Sequence, residues 1–169
     1  METVNRLLHA AREALDLGQS DVAEATGVST RTLHRIENGQ GLVGFENLTK
    51  LRVYFERLGI ALVELDDPKK WAIVFDSDLA PKVDRTEKNT IYDPVPGSVL
   101  KAARVLASLS QAELAALTNF GHPTIRKLEN TNDGSSPERR YVVQTLLEKS
   151  GVEFLKPTEQ AGWALRITR

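Results

Sequence analysis

The stretch QSDVAEATGVSTRTLHRIEN, residues 19–38, decides the fold, and QAELAALTNFGHPTIRKLEN, residues 111–130, repeats its plan ninety-two positions later. In each copy a Gln opens a short helix, a small residue (Ala23, Ala115) permits close packing, and Val28 or Phe120 supplies an apolar plug after a turn. The second helix of each copy carries Leu33 and Ile36, or Ile125 and Leu128, at the spacing of a single buried stripe. That stripe turns Thr30, Arg31, His34 and Arg35 outward in the first copy. In the second it turns out His122, Pro123, Arg126 and Lys127.

The same offset persists well beyond these helices. Ala10-Ala11-Arg12 returns as Ala102-Ala103-Arg104, Leu17 as Leu109, Gly59 as Gly151, and Trp71-Ala72 as Trp163-Ala164. The predicted organisation is therefore two units, 1–76 and 94–169, joined by a polar linker over 77–93 that runs into Asp93-Pro94-Val95-Pro96. The predicted fold class is mainly α with small β hairpins, each unit having four helices followed by two short strands.

Val4, Leu7, Leu8, Ala11 and Leu15 predict a first helix over 3–16, with its counterpart over 97–108. Ser29 is the expected N-cap of the third helix; Gly121 takes its place in the second unit, with Pro123 in the first turn. Fourth helices are expected over 46–58 and 138–150, stopped by Gly59 and Gly151, with Leu48, Leu51 and Phe55, or Val142, Val143, Leu146 and Leu147, facing inward. Strands follow at 60–65 and 71–75, around Asp66-Asp67-Pro68, and at 152–155 and 163–167, each second strand alternating apolar residues on one face. A lone hairpin is marginal in water. The hairpins should pack on their helices and pair further, either with each other or with a second chain in a homodimer.

The opening Gln19 and Gln111, the turns Gly27-Val28-Ser29 and Asn119-Phe120-Gly121, and the endings Arg35-Ile36-Glu37-Asn38-Gly39 and Lys127-Leu128-Glu129-Asn130 carry a family signature. They resemble the helix-turn-helix of the Xre/Cro family of phage and bacterial repressors, in both copies. The resemblance implies two lambda-repressor-like helix-turn-helix domains acting on double-stranded DNA. It also implies ion pairs between the first and third helices, Arg12 with Glu37 and Arg104 with Glu129.

Under this resemblance Gln19 and Gln111 meet phosphate, beside the plainer reading as helix caps or solvated amides. Thr30, Arg31 and Arg35 stand at base-reading positions, flanked by Ser29 and His34. Arginine suits the task because its guanidinium makes two parallel bonds to guanine O6 and N7. In the second unit His122 and Pro123 replace Thr30 and Arg31, so a bidentate donor is lost while Arg126 and Lys127 keep the outward face positive. That unit either also meets DNA or serves as a packing or partner-binding domain.

Composition bounds the alternatives. The chain of 169 residues has a net charge of −1, 41% hydrophobic and 27% charged residues, the balance of a soluble globular protein. No run of eighteen apolar residues and no signal-peptide pattern is present, so no membrane association and a cytoplasmic location are expected. The absence of Cys excludes disulfides and thiolate zinc sites, and His9, His34 and His122 have no metal-ligand spacing. No nucleophile, carboxylate pair or phosphate loop stands out, so neither catalysis nor a cofactor is expected. Residues 1–76 carry nine Lys/Arg against twelve Asp/Glu and residues 93–169 ten against eight, which gives the second unit more phosphate attraction. The expected function is a sequence-specific transcriptional regulator acting as a repressor. The alternative is an antitoxin or other protein-binding module, similar to HipB-like antitoxins, that holds a protein partner and also binds DNA.

Overall fold

The computed structural model describes residues 2–41, 43–65, 70–80 and 93–168. The expected turn at Asp66-Asp67-Pro68 and the middle of the expected linker, 81–92, lie outside the described residues. The N-terminal half contains α1 (Glu2–Ala14), α2 (Gln19–Thr26), α3 (Thr30–Glu37), α4 (Phe45–Arg57), β1 (Ile60–Glu64) and β2 (Trp71–Phe75). The C-terminal half repeats this order with α5 (Gly97–Leu106), α6 (Gln111–Thr118), α7 (His122–Glu129), α8 (Pro137–Lys149), β3 (Val152–Leu155) and β4 (Ala164–Ile167).

Helices α1 and α5 both stop two residues short of the expected 16 and 108. Asp16 and Ser108 adopt left-handed backbone, φ 55° and 59°. Beyond them the Leu17 and Leu109 amides donate back to the carbonyls of Arg12 and Arg104, which closes each helix end. Similar left-handed residues, Gly27 and Asn119, end α2 and α6.

The two halves share one sheet and one core instead of enclosing separate ones. The strand order is β1-β2-β4-β3, with β2 antiparallel to β4. Of the two expected outcomes for the hairpins, pairing across the repeat is the one observed. Both central strands are flanked on each side, so Ala72 and Ala164 are buried together with Ile73, Phe75 and Leu165, and burial is not confined to one alternating face. Trp163 precedes β4 and is buried, while its carbonyl accepts from the Phe75 amide at 2.8 Å.

Helix α5 is the centre of the core. Every residue of Gly97–Leu106 is buried, because α1, α7, α8 and β4 surround it. Ala10, Ala11, Ala102 and Ala103 are fully buried and let α1 approach α5 closely. Gly97 is required at its start: a Cβ there would lie 2.5 Å from the carbonyl oxygens of Leu128 and Glu129. The polar residues of α5 are paired. Lys101 binds Asp16 of the opposite half and donates to Asn130 Oδ1.

Both ends of the expected 77–93 linker are docked. At one end Ala80 is buried and the Leu79 carbonyl accepts from Ser98 Oγ and Asn132 Nδ2; at the other Asp93 pairs with Lys156 and leads into the buried Val95. The inward stripe of α8 also differs from expectation. Arg140, Val143 and Leu147 face the core, at the positions of Leu48, Leu51 and Phe55 in α4, while Val142 is exposed. The Arg140 guanidinium is satisfied by the carbonyls of Ser135, Val95, Leu128 and Thr131. It ties the loop after α7 to the approach to α5.

A shared core makes the halves unfold together. Leu165→Ala should cost about 2–5 kcal/mol, and amide exchange in β1 and β2, within the other half, should accelerate with it. Far-UV circular dichroism and tryptophan fluorescence should report one coincident transition.

Candidate nucleic-acid interface

The exposed face of α3 is built by local rules. Ser29 caps the helix, its Oγ accepting from the Thr32 amide at 3.2 Å and bonding Thr32 Oγ1 at 2.8 Å. Leu33 and Ile36 are buried against the core, which leaves Thr30, Arg31, His34 and Arg35 exposed, with Arg31 and Arg35 one turn apart. The Arg35 guanidinium lies over the following loop at Gly41, where a Cβ would stand 3.2 Å from its Nη2.

Helix α7 has the same division. Ile125 and Leu128 are buried, and His122, Pro123, Arg126 and Lys127 are exposed. Its N-cap, Gly121, offers no side-chain acceptor, and Pro123 removes a backbone donor from the first turn. A depression of about 200 Å³ beside this helix is lined by Lys127, Ser135, Ser136 and Arg139, among others. Arg139 stands beside Arg140 on α8, outside the helix-turn-helix motif, and no sequence pattern points to it.

The angle between α2 and α3 is set by a fork. Arg12 donates from Nε to Glu37 Oε1 (2.6 Å), from Nη2 to Oε2 (2.9 Å), and from Nη1 to the Leu17 carbonyl (2.7 Å). Gln19 Nε2 also donates to Glu37 Oε2, at 2.8 Å. The C-terminal half repeats the arrangement: Arg104 Nε and Nη2 reach Glu129 at 2.6 and 3.3 Å, and Gln111 Nε2 reaches it at 2.6 Å. The Arg–Glu pairs expected from the resemblance are thus present. The two Gln side chains are neither caps nor merely solvated, since each amide joins the start of one helix to the end of the next.

Burial alone would lower the Arg12 pKa, but the hydrogen bond and charge of Glu37, with Glu13 behind them, hold it above its ordinary value. Glu13 lies where α1 faces α5. The adjacent His9 imidazole, against the opposing effect of burial, brings its carboxyl down to about 2, and the charges of Arg12, His9 and Arg104 add to the shift.

Ion pairing is unevenly distributed over the surface. Lys50 pairs with Glu46, Lys156 with Asp93 and Arg166 with Glu153. Among the described residues Arg31, Arg35, Arg126 and Lys127 have no such partner, as is also true of the exposed Arg57 and Arg139 on α4 and α8. The cations on α3 and α7 keep their charge available to an anion.

Residues 8–60 match the helix-turn-helix family model. The match runs from within α1 to the first residue of β1 and supports a DNA-binding helix-turn-helix regulator, of a family generally non-enzymatic. Neither a curated protein nor a solved structure matches the chain. Among the described residues, no helix is long and apolar enough to cross a membrane, and no group of three or more His, Asp or Glu is placed to hold a metal ion.

Two outcomes test this helix-turn-helix frame. Arg104→Ala strands the buried Glu129 carboxylate and should lower stability by about 3–5 kcal/mol in chemical denaturation. Glu13 has a folded pKa below its ordinary value of 4.5, so its contribution is complete above that pH and is lost as pH falls towards about 2. Glu13→Gln should flatten the stability profile across that window, as measured by denaturation at successive pH values.

Proposed function

We propose that the protein is a sequence-specific, double-stranded-DNA-binding transcriptional regulator that represses by occupying a promoter, and that residues 94–169 form a second helix-turn-helix unit. The observation that carries this reading is the exposed row Thr30, Arg31, His34 and Arg35 at the start of α3, inside the span matched to the helix-turn-helix family. A second helix of that motif lies in the major groove with its N-terminal residues at base edges. Arg31 and Arg35 are the readers, each able to present a two-pronged donor to guanine.

Gln19 keeps a second amide hydrogen after bonding Glu37. Held in that orientation beside the N-terminus of α2, it meets a backbone phosphate, and Gln111 does the same in the other unit. Ser29 contributes through its exposed position at the helix entrance. Support for the second unit comes from the repeated element order, the repeated Arg104–Glu129–Gln111 fork and the cations of α7, which have no ion-pair partner among the described residues. His122 and Pro123 are poorer readers than Thr30 and Arg31, so α7 relies on Arg126 and Lys127, with Arg139 adding phosphate attraction.

Mobility shifts on duplexes selected from promoter DNA test this. Arg31→Ala and Arg35→Ala should each cost about 1–3 kcal/mol of base discrimination, roughly 5- to 150-fold in relative affinity. Circular dichroism should not change, because both side chains are exposed. A wild-type chain with no salt-sensitive, sequence-selective shift would refute the reading.

A further inference from the structure

The register of the two central strands is self-complementary. At the offset that relates Gln19 to Gln111, the counterpart of Ile73 is Leu165, that of Ala72 is Ala164, and that of Val74 is Arg166. The observed partners are Ile73 with Leu165, Ala72 with Arg166, and Val74 with Ala164. The central pair is thus a residue opposite its own counterpart, and the pairs on either side exchange when the halves are exchanged. A local twofold axis passing midway between Ile73 and Leu165 produces this register, as it does at the isologous interface of a dimer.

Independent contacts obey the same exchange. Helices α1 and α5, counterparts of one another, pack together, and the order β1-β2-β4-β3 reads the same when the halves are swapped. The symmetry is local: the backbone departs from it at the entrance of α4 and α8, where Gly44 has φ −59° and its counterpart Ser136 φ 55°, and side chains depart from it at the seam. Lys101 reaches Asp16 across the axis, while their counterparts His9 and Ser108 line a pocket of about 400 Å³ between the halves.

We propose that this single chain is a covalently closed pseudo-dimer that reads, as one copy, an inverted pair of unequal half-sites. The proposal rests on the DNA-binding reading above. A twofold rotation reverses the components of a helix across the axis, so on a duplex lying across that axis α3 and α7 run in opposite senses. Duplex DNA has local twofold axes of its own, so the half-sites run inverted and not in tandem. They are unequal because the outward residues differ: Thr30, Arg31, His34 and Arg35 are answered by His122, Pro123, Arg126 and Lys127. The α3 half presents two guanidinium forks one turn apart; the α7 half has Pro123 and Lys127 at those two positions and a single guanidinium, Arg126, at the position of His34. One copy suffices, because β2 and β4 are already paired with each other and both reading helices belong to one chain.

Selection of full-length chain against randomised duplexes, with the mass of the complex measured on the winning site, tests the proposal. The expected motif has two different halves in inverted orientation at one fixed spacing, bound by one chain. Adding half a helical turn between the halves should weaken binding at least about tenfold, since the reading helices cannot follow. The double variant H122T/P123R makes the start of α7 resemble that of α3, and its selected motif should become more symmetric. A direct repeat, an isolated half-site, two chains per site, or an unaltered motif with the folded double variant would each overturn the pseudo-dimer. Absence of any selected sequence would overturn the DNA-binding reading itself.

Discussion

Antiparallel pairing of β2 with β4 is the constraint on which the rest of the molecule depends. Each hairpin alone would leave a row of unsatisfied amides and carbonyls along its second strand, and would present Ile73 or Leu165 to water. Joined, the strands satisfy one another, both residues become fully buried, and α1 can settle against α5. The core that results is continuous through both halves. Only within such a core is it sensible for an entire helix, α5, to be buried.

Burying α5 imposes a polar cost that particular partners offset. Arg104 would be a stranded cation without Glu129, and Lys101 without Asp16 and Asn130. The Arg104–Glu129 and Arg12–Glu37 forks do more than neutralise charge, because each Glu closes the helix that carries the outward row. Since Gln19 and Gln111 join the same carboxylates, the start of one helix and the end of the next are fixed to a common point. The outward side chains therefore stand on a rigid frame, the condition under which a few hydrogen bonds to a ligand discriminate well.

A net charge of −1 sits uneasily with an anionic partner until the charges are located. Lys50, Lys156 and Arg166 are answered by nearby carboxylates, whereas Arg31, Arg35, Arg126 and Lys127, among the described residues, are not. At physiological salt the Debye length is about 8 Å. A phosphate at the surface of α3 responds chiefly to the cations beside it, and the acidic balance elsewhere is largely screened.

What the sequence alone determined is what depends on neighbours within a few residues. The inward stripes Leu33–Ile36 and Ile125–Leu128, the outward rows beside them, the Ser29 cap and the glycines after α4 and α8 follow from helix period and local backbone geometry. What only the tertiary structure decided depends on residues far apart in the chain. The choice of β4 as partner for β2, the enclosure of α5, the engagement of both Gln amides and the inward turn of Arg140 have no local period to announce them. Arg140 did leave a trace, a charge where the first copy has Leu48, but which carbonyls would receive it was set by the meeting of three separate segments. Local propensity acts along the chain, whereas the satisfaction of buried polar groups is settled only once distant elements have packed.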